Sequence, residues 1–399
     1  MLNIYSRIKA YIKDLYIPAV FILLVYPVLL FFAAFFYIKS FGFGLFECLL
    51  AICSYYVINI TVGIGLHRLW AHNTYTVNKV VEYILAFFAS ATLQGPILKW
   101  SSDHAKHHAY TDTDKDPHSP SNFGGGVRGF LWSHIGWMLV KDSVNASFDK
   151  GVLKRLGRNK IVVFQFKHYL SLAVFTNSVF PAMLGFLSDM SIKGVLAGFI
   201  FCGIGRALQQ HATFCVNSAL HYFGDKTYDD STAGDMPFMA IFLLGENWHN
   251  FHHAFPSDYR NGVKWYHFDV HKWIIWSLCK IGLARNLSRA SDVRIFAKRK
   301  AIMSSYLENK LKDWKSLQDA VESWKNVASD KARKKVFESY DFYNSRLASL
   351  SFKIKNMMES QELSKKVVQE MSHLLDIFEK EFEILRRNVS TICVTDTLI

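Results

Sequence analysis

Charge is the scarcest feature in the first part of this sequence. Between Ile17 and Ile38 there is none for 22 residues, about 33 Å of helix against a hydrocarbon core of roughly 30 Å. An ordinary soluble domain is excluded there. A signal peptide does not fit either, because the run is too long and no small-x-small cleavage site follows. Cysteine is also sparse. The six residues, Cys48, Cys53, Cys202, Cys215, Cys279 and Cys393, form no C-x-x-C pair, which argues against thiolate ligands and disulfides and for reduced packing residues. No H-E-x-x-H stretch occurs, so a helical zinc-protease motif is absent. No nucleic-acid motif accompanies the net charge of +13, which suits anionic lipid or an anionic substrate instead.

What is present is apolar: 51% of residues are hydrophobic, including 33 Phe. This composition predicts an all-α integral membrane protein with four transmembrane helices, at about 17–38, 41–66, 169–187 and 194–217. The second is interrupted only by Glu47. The fourth carries Arg206, Gln209, Gln210 and His211 in its second half, so it faces the bundle or leaves the bilayer partway. Tyr83 to Leu98 is too short to span and reads as an interfacial helix under the membrane. Arg7, Lys9 and Lys13 precede the first span, whereas the links Lys39–Ser40 and Ser188–Lys193 carry one or two basic residues each. The positive-inside rule then puts both termini and the soluble blocks, 67–168 and 218–399, in the cytoplasm.

The histidines fall in those blocks. Residues 104–108 read HAKHH and residues 249–253 read HNFHH, the same His-x-x-His-His spacing twice. Residues three and four apart share a helix face, so each cluster aims two or three imidazoles at one point. His67 and His72 add a pair and His221 a single. Nine imidazoles at one depth are about what two metal ions need, and imidazole suits iron, zinc, copper or nickel rather than magnesium or calcium. Lone histidines at 134, 168, 211, 267 and 271 read as ordinary polar or interfacial residues, and His118 as a turn residue. A soluble-type di-iron carboxylate bundle is discounted, because its two Glu-x-x-His motifs, at Glu246 and Glu370, lie in unlike surroundings.

HRLWAH, WSSDHAKHHAYTDTDKDPHSP, WSHIGWM, NSALH and GENWHNFHHAFPSDYRNGVKW together resemble the membrane fatty acyl desaturases of the stearoyl-CoA (delta-9) type, over roughly residues 15–290. The resemblance implies a four-span bundle under a cytoplasmic helical cap that holds two irons. Their ligands would be His67, His72, His104, His107, His108, His221, His249, His252 and His253, with Asn217 reaching one metal through water. It implies an O2-dependent reaction that removes two hydrogens from adjacent carbons of an acyl chain, leaves a cis double bond at C9 and releases O2 as water. Gln94, Trp100 and Thr213 match residues at the bend of an acyl tunnel. Tyr55 and Asn59 fall at its closed end, and Asp103 and Lys141 at the coenzyme A contact.

There are departures. Ser102 stands where the family commonly has an arginine that contacts coenzyme A, so acyl carrier protein or a phospholipid are alternative carriers. Asn247 replaces a glycine, and Ser121 to Val127 looks like a loop insertion beside the substrate entrance. After residue 290 charges of both signs appear, and 291–399 reads as a charged amphipathic tail. Its apolar stripes run through Leu307, Leu311, Trp314, Leu317, Val321 and Trp324, and through Val368, Met371, Leu375, Phe378, Phe382 and Leu385. They predict two helices, able to pair as a coiled-coil hairpin. The tail has no HPGG stretch and only His373, so it holds no fused cytochrome b5 and electrons come from a separate cytochrome b5 or ferredoxin with its reductase. Competing readings are a membrane di-iron alkyl hydroxylase, a His-rich metal transporter, whose site would sit near the midplane, and a scaffold working through the tail.

Overall fold

The computed structural model describes residues 14–121, 124–141, 147–325 and 330–396. Arg7, Lys9, Lys13, Asn122 and Phe123 lie outside them, as does the side chain of Cys393. The described chain divides into two compact units, one built from residues up to 226 and 230–289, the other from 227–229 and 290 onward.

The first unit holds four helices long and apolar enough to cross a membrane, and the chain is a multi-pass membrane protein. Helix α1, Ile17–Phe41, begins with Pro18 in its first turn, where the missing N–H costs nothing. It stops at Gly42, whose φ of 80° a side chain would resist. Helix α2, Leu45–Ala71, opens on Glu47, the single charge of that apolar run. Its carboxylate accepts the Gly44 N–H at 2.9 Å and the Tyr37 hydroxyl at 2.7 Å, so the charge is buried but satisfied. Helices α8, Tyr169–Asp189, and α9, Ile192–Tyr222, cross at glycines. A Cβ on Gly185 would lie 1.9 Å from the Gly194 carbonyl oxygen. Such close backbone approach is how helices pack where no hydrophobic effect drives them.

Helix α2 runs past the expected end at residue 66. From Thr61 to Ala71 its turns widen to the π form, and Thr61 to Trp70 are buried on every side. Beyond this extension come α3, Lys79–Ala91, α4, Ile97–Tyr110, α5, Gly126–His134, α6, Lys150–Leu156, α7, Lys160–Lys167, α10, Ala240–Leu243, α11, His249–Ala254, and α12, Val270–Lys280. Helices α5 and α10 lie on α9, while α3, α4 and α12 pack around the extension with α6 and α7 against α4. Their shared core includes Leu66, Trp70, Tyr75, Leu85, Ile97, Val162 and Ile275. A two-residue antiparallel ribbon pairs β1, Thr76–Val77, with β2, Ala284–Arg285.

Tyr83 to Leu98 is not one helix. Leu93 and Gly95 take left-handed φ values of 52° and 98° and Pro96 follows, so the chain breaks and turns into α4. That break is what aims the first His-x-x-His-His cluster inward. Val80, Tyr83 and Ile84 of α3 are exposed.

The second unit contains three helices where two were expected: α13, Asp292–Lys325, α14, Asp330–Glu359, and α15, Lys365–Asp396. Leu307, Trp314 and Val321 of α13 meet Met371, Phe378, Phe382 and Leu385 of α15, and Leu347 and Ile354 of α14 complete that core. The middle helix escaped notice because it places exposed Phe342 and Phe352 among its buried positions, which blurs the helical period.

Candidate metal centre

Four pieces of backbone bring the histidines together. His67 lies in the widened turns of α2, and the His72 N–H closes that stretch on the His67 carbonyl at 3.0 Å. Wide turns of this kind recur at functional sites because they re-aim side chains. His104, His107 and His108 share one side of α4, and His221 sits in the last turn of α9. His249, His252 and His253 lie on the short α11, whose first amides are held by Asp235. The Asp235 carboxylate accepts from Asn250 N at 2.8 Å and from Phe251 N at 3.4 Å. Burial pushes its carboxyl up to about 7 against these bonds.

The result is two groups. His67, His72, His104, His108 and His252 converge in one, and His107, His221, His249 and His253 in the other, with donor atoms within 4.8 Å of one another in each. In the first, Nε2 atoms lie 2.7 Å apart for His72 and His104, 2.9 Å for His67 and His252, and 2.9 Å for His252 and His108. In the second they lie 3.1 Å apart for His221 and His249, 3.1 Å for His253 and His249, and 3.3 Å for His107 and His253. Burial and the neighbouring histidines hold His72, His104, His108, His249, His252 and His253 well below the usual imidazole range, so these rings are neutral.

What stands behind the rings decides which nitrogen faces inward. His67 Nδ1 is 2.8 Å from Glu246 Oε2. His107 Nδ1 is 3.0 Å from Asp116. His221 Nδ1 is 2.7 Å from the Thr232 hydroxyl, which donates in turn to Asp112. An outward acceptor fixes the proton on Nδ1 and leaves the Nε2 lone pair pointing to the centre. Lone pairs about 3 Å apart repel unless a cation lies between them. Nitrogens about 2.0–2.1 Å from a shared ion and at right angles around it stand about 3 Å apart, which the observed spacings match. The residues therefore fit a pair of metal ions.

Glu246 is the centre of a second network. Its oxygens meet Arg68 at 3.0 Å, His271 at 3.0 Å and Asn261 at 2.8 Å, and Arg68 also pairs with Asp269 at 3.0 Å. Burial would raise the Glu246 carboxyl, but His67 and Arg68 outweigh it and hold the group well below the carboxylate range. Glu246 thus backs a histidine rather than facing a metal. His271 is fully buried against this carboxylate, and His118 is buried with its ring 4.3 Å from that of His107. His118 lies in the turn expected of it, and His271 is a satisfied polar residue in the interior. Asp112, Asp116, Thr232 and Asp269 also went unnoticed, since single acids and hydroxyls carry no spacing signal.

The residues expected along an acyl path fall into place unevenly. Trp100 stacks on His104 with ring centroids 5.0 Å apart, and its indole N–H donates to Gln94 Oε1 at 3.0 Å. The Thr213 hydroxyl accepts from Gln209 Nε2 at 2.7 Å. The Tyr55 hydroxyl and the Asn59 amide both donate to the Phe242 carbonyl at 2.8 Å. Asn217 is half-buried at the end of the long helix of α9. Asp103 is clamped by Lys99 of the same helix, at 2.5 and 2.6 Å. Lys141 is exposed. Ser102 is fully buried and accepts the Asp149 backbone N–H, so an arginine at this position would meet a closed wall.

The arrangement is two groups of histidines, each able to hold a metal ion, in a unit with four helices long and apolar enough to cross a membrane. The chain belongs to the fatty acid desaturase family, whose model matches residues 41–286. It is 38% identical over 247 residues to a Schizosaccharomyces pombe protein named "Probable acyl-CoA desaturase", covering 61% of this chain and 50% of that one. It is 36% identical to acyl-CoA desaturase 1 of Saccharomyces cerevisiae, over 61% of this chain and 46% of the other. Delta(9)-fatty-acid desaturase fat-6 of Caenorhabditis elegans is 35% identical over 57% of this chain and 66% of its own. The chain spans about half the length of the two yeast relatives it matches.

Proposed function

We propose that this chain is an O2-dependent fatty acyl desaturase that places a cis double bond, at C9, in a saturated acyl chain carried by coenzyme A. The observation that supports this most is the convergence of nine imidazoles in groups of five and four beside Trp100. Two irons held there would supply the oxidising power needed to take hydrogen from an unactivated methylene, with O2 as co-substrate. Imidazole donors also suit zinc, which lacks that redox chemistry.

The protein's own work is positioning, which can supply about 7–11 kcal/mol when reacting atoms are correctly held. Trp100 and Gln94 hold each other across one side of the first histidine group, and Thr213 is fixed by Gln209. These residues would turn the acyl chain past the metals. Tyr55 and Asn59, locked onto the Phe242 carbonyl, would close the far end and set chain length. Asn217 would reach a metal through water.

Asp103 and Lys141 would meet the coenzyme A portion, with Ser102 removing one expected cationic contact. The histidine end of the bundle and both termini would face the cytoplasm, where a separate cytochrome b5 or ferredoxin with its reductase delivers electrons. The test is the fatty-acid profile of a host lacking this unsaturation, expressing the intact chain or its His107→Ala variant. A new cis-monoene with the intact chain alone supports the proposal and reports the bond position. A hydroxylated product, or none from protein that holds two metals, overturns it.

A further inference from the structure

Arg206 is a cation within the apolar span α9, 2% exposed. Its Nη1 donates to Gln210 Oε1 at 2.8 Å, and its guanidinium lies 5.2 Å from the Tyr26 ring centroid. Its Nε and Nη2 are buried with no acceptor in hydrogen-bonding geometry, although the Tyr26 hydroxyl lies beside the guanidinium. These two nitrogens form one edge of the guanidinium, the fork of parallel N–H groups that matches an oxyanion bidentately. Among the described residues no carboxylate pairs with it. A charge kept in a membrane span without a counter-ion is costly and points to a missing partner.

Arg206 lines a cavity of about 200 Å³ between α2, α8, α9 and the end of α3. The remaining walls are mostly apolar, among them Leu50, Ile58, Phe88, Phe180 and Leu184. Leu50 stands beside Cys202, about one turn from Arg206, and Leu184 adjoins Gly185, which abuts Gly198 eight residues before Arg206, so the cavity extends about 12 Å along the helix axes away from the cation. Its rim includes Cys53 and Val57, which are exposed on the lipid-facing side of α2. None of Tyr55, Asn59, Trp100 or Thr213 lines it.

We propose that this cavity binds a long-chain free fatty acid, with its carboxylate on the Nε/Nη2 edge of Arg206 and its chain along the apolar walls. One cationic fork at the end of a single narrow apolar space suits a one-chain, singly charged amphiphile. The site is separate from the proposed acyl path, and an acid entering from the bilayer passes over Cys53 and Val57, between α2 and α8. The bound carboxylate supplies the counter-ion that the helices do not.

The test uses the full chain in lipid nanodiscs and palmitic acid carrying a mid-chain diazirine, with cross-linked peptides identified by mass spectrometry. Labelling is expected on residues 50–58 and 176–184, to be competed by palmitate and to fall roughly tenfold or more in Arg206→Gln. Arg206→Lys should keep part of it. Cys53→Trp, which blocks the rim and leaves Arg206 in place, should remove it. Unchanged labelling in Arg206→Gln, or labelling confined to the neighbourhood of Tyr55 and Phe242, overturns the proposal. Labelling of the cavity by a photoreactive phosphatidic acid but not by the palmitate probe overturns the carboxylate assignment. The readout needs neither metal nor turnover, so its failure leaves the desaturase reading untouched.

Discussion

Glu246→Gln separates the two metal positions. The carboxylate takes four donors: His67 and Asn261 on Oε2, Arg68 and His271 on Oε1. An amide has one oxygen, so its nitrogen would face two donors wherever it points. Part of the loss falls on folding, since Arg68 is 1% exposed, but Asp269 still pairs with it at 3.0 Å. The remainder falls on His67, whose Nδ1 proton loses its charged acceptor. Removing such a partner typically lowers metal affinity 10–100-fold, about 1.4–2.7 kcal/mol. His67 belongs to the group of five, so one metal should weaken and the other stay. Asp116→Asn acts through His107 and should do the reverse. The measurement is anaerobic Fe(II) titration of purified, chelator-stripped protein against a competing chelator. His72→Ala and His221→Ala provide the spectra of each half-loaded site. If both metals weaken together in either variant, or neither does, the assignment of one carboxylate to each group is refuted.

Three other outcomes follow from packing. Asn59→Ala frees the Phe242 carbonyl from one of its two donors and should shift the monoene profile of an expressing host toward longer chains. An unchanged profile would remove Asn59 from the end of the path. Gly63→Ala would put a Cβ 2.1 Å from the His271 ring, forcing it off Glu246. A loss of about 1–3 kcal/mol is expected for such overpacking, read as a lower thermal midpoint of the apo protein, and an unshifted midpoint would contradict the close contact. Deleting residues 291–399 should leave the double-bond-forming activity in place, because both histidine groups and their backing residues lie in the first unit. Loss of activity with a folded membrane unit would favour a working role for the tail.

The parts legible in the sequence were those with a period. Charge-free runs exposed the spans, and a repeated three-and-four spacing exposed six of the nine histidines. His67, His72 and His221 needed the resemblance or their position at span ends. What stayed hidden has no period. Glu246 lies three residues before His249 and looks like half of a Glu-x-x-His metal motif, yet its carboxylate turns the other way, onto His67, 179 positions earlier in the chain. Sequence spacing predicts contacts along one helix, and this contact joins α2 to the segment before α11. The wide turns of α2 were equally silent, since nothing in TVGIGLHRLWA distinguishes a π stretch from an ordinary one. Gly63 supplies the link afterwards: without a side chain it admits His271, which holds Glu246, which holds His67. The His67 ring in one helix is thus oriented by a missing Cβ one turn earlier, through two residues more than 170 positions away. The nine histidines could be read from the chain; the tautomers that would let them hold metal depend on tertiary structure alone.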